Sequence, residues 1–530
     1  MQTIFPLLLL CICNVASSYK ILIYSNLFGH SHIKLIAAVA DTLTDAGHDV
    51  TVLMPVIDVE QRNRTALKST KKRIFVEADG KVIEEYARTN KFLSNLWTSE
   101  TANPLKMWWD KSTLVPLFGA QCNKVMQSRD LLDQLKSENF DLAITEPFDN
   151  CAYGIFEYLR IPAHVSVLSC ARMDHVSDVL GQPIAASYVP GTQSVYGDRM
   201  SMRERFMNLL QFFSGYYMFA DIAEYEYENA KSILGIGRSW REVLAETSFL
   251  LTNHIPILEF PAPTFDKIVP IGGISVNTDR KNMRLPEKWD TILSMRKKNV
   301  LISFGSNIKS MDMPDEFKDA LITLFQSMPD TTFIRKYENL ADKKLTCGIL
   351  NVNRGEWLPQ NELLADPRLN AFITHGGLGS VTELAMMGKP ALVVPIFADQ
   401  TRNAEMLKRH GGAEVLHKTD LKHPKVMEKA LRKVMNNPSY RENAEKLAEM
   451  LNNQPTDPKE TLVKYVEFAA RFGKLPSMDP YGRQQSLIEY YLLDILAIAF
   501  VLITAVVYMT VKMITCIIAK RCGSRKVKFE

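Results

Sequence analysis

The sequence predicts an α/β protein of two doubly wound, Rossmann-like halves with a single membrane-crossing helix behind them. Three observations carry this expectation. A strand-helix-strand unit opens the chain at Tyr19 to Pro55, and the same alternation restarts near Asn299 after a stretch without any period. Ile495 to Val511 is apolar and free of charge.

At the amino end, Phe5 to Val15 is apolar and precedes the small residues Ala16-Ser17-Ser18, which fits a signal peptide over 1–17. The run lacks a leading Lys or Arg, so a buried first helix is its rival. The strand KILIY (Lys20 to Tyr24) follows, then the loop SNLFGHS. A helix from His32 places Leu35, Ile36, Val39 and Leu43 on one face, with Gly47 past its end and DVTVLMP as the next strand. Such a unit implies parallel pairing. A second one runs through DLAIT, a helix at Cys151 to Leu159 and AHVSVLS (Ala163 to Ser169). The aromatic, helix-rich segments Phe92 to Trp109 and Phe206 to Tyr227 could wall an apolar pocket or fill a core.

Between Gly272 and Trp289 the period breaks, as an interdomain linker would require. Beyond it come NVLISFGS, a helix near Glu316 to Met328, TTFIRKY, GILNVN, NAFITH, a helix near Ser380 to Met387, ALVVPIF, and helices from Asn403. The expected domains are 18–275 and 296–487 around a linker at 276–295, then a transmembrane helix over 488–512 and a basic tail over 513–530.

Composition agrees with this plan. The 530 residues can fill two cores, and 46% hydrophobic with 23% charged content excludes a disordered chain and a multi-span membrane protein. The net charge of +4 is concentrated in the tail (Lys520, Arg521, Arg525, Lys526, Lys528), so no nucleic-acid surface is indicated. Basic residues after the span orient the tail to the cytosol and everything upstream to the lumen, a type I topology. Lys526 and Lys528 in the terminal KVKFE resemble the dilysine retrieval signal of endoplasmic-reticulum membrane proteins. Asn63-Arg64-Thr65 is a glycosylation sequon. Cys122, Cys151, Cys170 and Cys347 would face the lumen, and without a C-x-x-C spacing they are expected to be buried free thiols.

The stretch THGGLGSVTE, Thr374 to Glu383, carries the chemistry. It follows the apolar strand Ala371-Phe372-Ile373 and leads into a helix, whose first amides and dipole favour an anion such as a phosphate. His375 and Ser380 can donate to phosphate oxygens, the glycines admit close approach, and Glu383 can accept from the vicinal hydroxyls of a ribose. A dinucleotide fold would want its acid about twenty residues after the glycines, so a nucleotide diphosphate fits better.

The segment EWLPQNELLADPRLNAFITHGGLGSVTELAMMGKPALVVPIFADQTRNAEML, Glu356 to Leu407, resembles the donor-binding signature of the UDP-glycosyltransferases, the membrane-anchored glucuronosyltransferases in particular. The resemblance covers nearly the whole chain and implies the GT-B fold, two Rossmann-like domains facing a cleft. It implies that Trp357 stacks on uracil and that Gln360 bonds the base or ribose. Glu383 would hold the ribose, and His375, Gly377 and Ser380 the phosphates. Asp399 and Gln400 would read the sugar, and Ser306 in SFGS would cover the diphosphate. Each has a structural rival: Trp357 as a core aromatic, Asp399-Gln400 as a helix cap, SFGS as a strand-end turn. Gly379 departs from the asparagine common at its place.

On the acceptor side, His32 matches the family's catalytic base, with His30 as its rival. A neutral imidazole can take the proton of an acceptor hydroxyl, and a helix start is expected to lower its pKa. The family's supporting aspartate aligns with Glu146 in FDLAITE, and Asp149 is the alternative. The resemblance thus implies inverting transfer, without a metal or other cofactor, of a sugar from UDP to a small lipophilic hydroxyl compound at the endoplasmic-reticulum membrane. Glucuronate is expected and glucose is the alternative, since Arg335 stands where many relatives carry tryptophan and no residue is placed to read a carboxylate. A non-catalytic membrane-anchored binder or partner subunit is the reading from another class. Oligomeric state stays open, homo- or hetero-oligomer included.

Overall fold

The computed structural model describes residues 18–100, 103–170, 172–342 and 349–526. The expected signal peptide, Cys347 and Lys528 lie outside them, and nothing is described of the Lys526 side chain.

Two parallel sheets organise the chain up to residue 478. The first contains β1 (Lys20–Tyr24), β2 (Asp49–Pro55), β3 (Lys72–Val76), β4 (Leu142–Thr145), β5 (His164–Leu168), β6 (Leu250–Thr252) and β7 (Ile268–Pro270), in the order β3-β2-β1-β4-β5-β6-β7. The second contains β8 (Lys298–Ser303), β9 (Thr331–Lys336), β10 (Val352–Gly355), β11 (Ala371–Thr374), β12 (Ala391–Val393) and β13 (Ala413–Val415), in the order β10-β9-β8-β11-β12-β13. The strands β4, β5, β8 and β11 are almost wholly buried, as strands covered by helices on both faces must be. In each sheet the order reverses between the first strand and the fourth, opening a crevice beyond their carboxyl ends.

Local chemistry moves several expected boundaries. The first helix spans His30–Asp45 rather than starting at His32, because Gly29 at φ 73° forms its N-cap. The strand expected at GILNVN pairs only from Val352, and β12 ends at Val393, ahead of Pro395. Cys122 and Cys151 are joined in a disulfide, which corrects the expectation of free thiols for this pair. The first lies in the helix Pro104–Gln127 and the second opens the helix Cys151–Leu159, so residues far apart in sequence meet with Cα atoms 5.6 Å apart.

The cores interlock across the expected domain limits. Trp289, Ile292 and Leu293 of the helix Glu287–Ser294 pack with Leu301, Ile334 and Phe372 under the second sheet, and Phe260 joins them. Leu462, Val466 and Ala469 of the helix Pro458–Phe472 return to the first sheet, among Ile21, Ile23, Leu142 and Ile144. Trp97 from the first half is buried in the second core and donates from Nε1 to Lys309 O at 3.3 Å. Arg402, on the helix Gln400–Arg409, donates from Nε to Pro190 O at 3.2 Å and pairs bidentately with Glu259 at 3.0 and 2.8 Å.

Residues 479–530 form a separate unit. A short helix, Leu487–Tyr490, precedes the continuous helix Leu493–Lys526, of which Leu493–Arg521 is long and apolar enough to cross a membrane.

Glu259→Ala would strand the buried Arg402 guanidinium without its counter-charge. We expect a loss of ~3–5 kcal/mol, visible as a fall in the unfolding midpoint of the detergent-solubilised chain, while Lys464→Ala, at an exposed pair, leaves the midpoint unchanged.

Candidate active site

The loop after β1 and the loop after β4 deliver two side chains to the first crevice. His32 sits in the opening turn of its helix, and its Nδ1 lies 2.8 Å from Glu146 Oε2. The positive φ of Gly29 turns the backbone there, and a Cβ at Gly29 would stand 3.2 Å from His32 Cδ2 and 3.4 Å from Asn307 Nδ2, so glycine is needed on both counts. Glu146 Oε1 accepts from Ser169 N at 2.9 Å and from Ser169 Oγ, and Ser169 Oγ is also 2.7 Å from His32 Nδ1. The imidazole keeps 27% of its side-chain surface accessible against 11% for Glu146, so the ring faces the cleft and the carboxylate sits behind it.

This geometry corrects one expectation. Burial disfavours the charged imidazole, but the Glu146 carboxylate, its hydrogen bond and the more distant Asp399 outweigh it, and the His32 pKa is raised rather than lowered. A carboxylate in direct contact is worth about 1.5–3 kcal/mol, a helix terminus about 0.3–1 kcal/mol, so the contact decides the sign.

The alternatives separate cleanly. Asp149 turns its carboxylate to the next helix instead, its Oδ1 accepting from Cys151 N at 2.9 Å. Burial pushes it up to about 7 against that hydrogen bond, with the charge of Glu146 adding to the rise. His30 turns to the other side, its ring edge-on to Trp357 at 4.7 Å and 80°. Around His32 the first half presents aromatics: Phe148 lies 5.3 Å from the imidazole, Phe118 5.4 Å from Phe148, and Phe28 5.4 Å from Phe118.

Across the crevice, His375 follows β11 and Gly377 N-caps the helix Leu378–Met386, two residues before the expected start. Ser380 is therefore in the first turn. His375 is partly buried beneath the turn after β8: a Cβ at Gly305, φ 86°, would collide with its Nε2 at 2.5 Å. Burial and the charge of Lys336 lower the His375 pKa to about 4 against a hydrogen bond that the ring donates to the Ser303 backbone, so the ring is neutral. Ser306 lies in the same turn, its Oγ 3.5 Å from Asn307 Oδ1. Gln360 Nε2 donates to Ser380 Oγ at 3.0 Å and to Glu383 Oε2 at 2.7 Å, uniting three of the expected donor residues. Trp357 is 46% exposed rather than a core aromatic, with Arg64 5.4 Å from its ring. Asp399 occupies the N-cap position of its helix without a capping bond; its Oδ2 accepts from Asn403 at 2.9 Å. Gln400 Oε1 accepts from Ile396 N at 2.9 Å and Phe397 N at 3.1 Å, fixing the strand-end loop.

The two halves meet at this cleft. Lys34 Nζ, one turn past His30, donates to Glu383 Oε1, and a Cβ at Gly379 would rest 3.8 Å from Ser31, an ordinary contact that asparagine's own Cβ would also make. Arg335 lies elsewhere, a fully buried residue of β9 with its guanidinium 4.8 Å from the Tyr337 ring. Lys34, Ser169 and Asn403 escaped sequence reasoning. Ser169 alone had a usable signal, its place just past β5, the strand that pairs with β4.

The family described as UDP-glucoronosyl and UDP-glucosyl transferase matches residues 20–528. The putative UDP-glucuronosyltransferase ugt-48 of Caenorhabditis elegans is 27% identical over 513 residues, covering 92% of this chain and 93% of its own. Human UDP-glucuronosyltransferase 1A10 is 25% identical over 509 residues, covering 95% and 92%. In structure the chain is similar to the glycosyltransferase VinC, solved in complex with DTDP, at a TM-score of 0.55 and 20% identity over 85% of this chain and 100% of that one. It is likewise similar to LpCGTa, solved in complex with UDP, at a TM-score of 0.55 and 15% identity over 86% and 100%. The fold is GT-B.

Replacing Glu146 with Gln removes the contact that raises the His32 pKa and leaves burial to lower it. We expect carbethoxylation of His32, followed by mass spectrometry across pH, to reach half its maximum at lower pH in Glu146→Gln than in the parent, because only the neutral ring reacts.

Proposed function

We propose that this chain, which belongs to the UDP-glucoronosyl and UDP-glucosyl transferase family and is a UDP-sugar glycosyltransferase, transfers glucuronate with inversion to a hydroxyl of a small lipophilic acceptor, using His32 as base. The observation that carries this reading is the placement of the His32–Glu146 pair opposite the opening turn of the helix Leu378–Met386.

In one displacement, the His32 Nε2 lone pair takes the acceptor proton as the acceptor oxygen bonds to the anomeric carbon. The bond from that carbon to the β-phosphate oxygen breaks, and UDP departs from the opposite face, which inverts the centre. Glu146 holds the Nδ1 proton and steadies the imidazolium. The amides of the first turn after Gly377, with neutral His375 and Ser380, meet the charge developing on the leaving diphosphate, and Ser306 covers it. No metal is assigned a part. Trp357, exposed in the cleft, offers a stacking face for uracil; Gln360 and Glu383 form the polar pair for the ribose, with Lys34 yielding Glu383 to it. Asp399 and Gln400, at the start of the helix Gln400–Arg409, are assigned to the sugar hydroxyls. Phe28, Phe118 and Phe148 support a lipophilic acceptor.

Glucuronate is favoured by the named relatives. Placement in the endoplasmic-reticulum membrane, with both halves lumenal, is supported by the apolar helix, the basic residues after it, the exposed Asn63 of the sequon and a disulfide that suits an oxidising compartment.

Membranes incubated with UDP-glucuronate, UDP-glucose and UDP-N-acetylglucosamine against a phenol panel, scored by product mass, test the reading. Glucuronide formation is expected; glucosides instead would reassign the sugar, and an inert parent with every donor would favour the binder. His32→Ala should lower kcat by about 100- to 10,000-fold while UDP still stabilises the protein against unfolding. The acid limb of the parent's kcat profile should lie above the ordinary histidine value.

A further inference from the structure

The proposed base is supported by a third residue, which neither the motif nor the family resemblance assigned. Resting on that reading of His32, we propose that Ser169 is a positioning residue that sets the tautomer of His32 and fits the chain's glutamate to a supporting role.

Ser169 lies just past β5, and its neighbours leave it little freedom. Its carbonyl accepts from Asn253 Nδ2 at 3.0 Å, its amide donates to Glu146 Oε1 at 2.9 Å, and its hydroxyl donates to that same oxygen. One carboxylate oxygen is thereby doubly bonded and held, and the other, Oε2, is left aimed at His32 Nδ1. A glutamate reaching a fixed imidazole carries one more rotatable bond than an aspartate would. The two Ser169 donors remove that freedom, fixing a carboxylate that is otherwise free to swing.

The hydroxyl has a second consequence. A serine O–H has one proton, and here it goes to Glu146, so the Oγ presents lone pairs to His32 Nδ1 at 2.7 Å. Nδ1 then faces two acceptor oxygens, Ser169 Oγ and Glu146 Oε2, and only a protonated Nδ1 satisfies both. The lone pair of the neutral ring is forced onto Nε2. Ser169 touches no reacting atom; it acts through Glu146 and the tautomer, and its removal should affect turnover rather than binding.

The test uses the full-length chain in membranes with the donor and acceptor that give product. Ser169→Ala should lower kcat about tenfold, the worth of one hydrogen bond to a charged group, with KM for both substrates within about twofold. Ser169→Thr, which keeps the hydroxyl, should restore kcat to within about threefold of the parent. In a Glu146→Ala background the Ser169→Ala change should add less than about twofold, because its route is already cut. Thermal stabilisation by UDP reports folding in every variant; if Ser169→Ala fails to fold, Ser169→Cys, a weak donor of similar shape, takes its place with the same expected loss. Unchanged kcat in Ser169→Ala, equal impairment in Ser169→Thr, or a full tenfold loss on top of Glu146→Ala would overturn the assignment. Transfer abolished in His32→Ala but unaltered in Ser169→Ala would overturn Ser169 alone, whereas transfer retained in His32→Ala would overturn the base reading and this inference together.

Discussion

The hydrogen bond of 2.8 Å between His32 and Glu146 is the interaction on which the site depends. Without it the imidazole would be a partly buried ring at a helix start, where desolvation and the dipole both favour the neutral form. With it the ring becomes a stronger base of defined orientation. The acid is a glutamate, and Ser169, just past β5, holds its far oxygen.

The two halves are similar frames carrying different chemistry. Each sheet reverses its order between first and fourth strands, so each offers a crevice at the same topological place. The first crevice receives an ionisable pair and a wall of phenylalanines. The second receives a neutral histidine, a helix start and a polar set joined through Gln360. Glycines at 29 and 305 allow the loops to close over rings that any side chain would strike. The crevices face one another because the cores interlock: Trp97, Arg402 and the helix Pro458–Phe472 each cross from the half in which they originate. Hinge motion between the halves must therefore work against buried contacts as well as the Lys34–Glu383 pair.

Behind the His32–Glu146 pair lies a second acidic cluster. Burial raises Asp149 to about 7 and Glu226 well above the carboxylate range, and Asp149's charge adds to the rise at Glu226. Two carboxyls without a counter-cation cannot both stay ionised in such surroundings. Asp149 is thereby left a cap for the helix tied by Cys122 and Cys151, and Glu146, with its imidazole and serine partners, is the acid that stays charged.

What the sequence determined by itself was everything that depends on local period and on motifs contiguous in the chain. The first β-α-β units, the alternation that restarts near Asn299 and the apolar terminal helix follow from spacing within short windows, while the roles along the run from Trp357 to Gln400 came from its resemblance to a known donor-binding signature. Tertiary structure alone decided what depends on distance through space. It brought Glu146 rather than Asp149 to His32, reversed the direction of the His32 pKa, joined Cys122 to Cys151, buried Arg335 away from the cleft and placed Ser169 against both partners. The physical reason is range. Helical and strand periods are set by neighbours along the chain, whereas a hydrogen bond, an ion pair and a disulfide form between atoms a few ångströms apart whose sequence separation carries no trace of their contact.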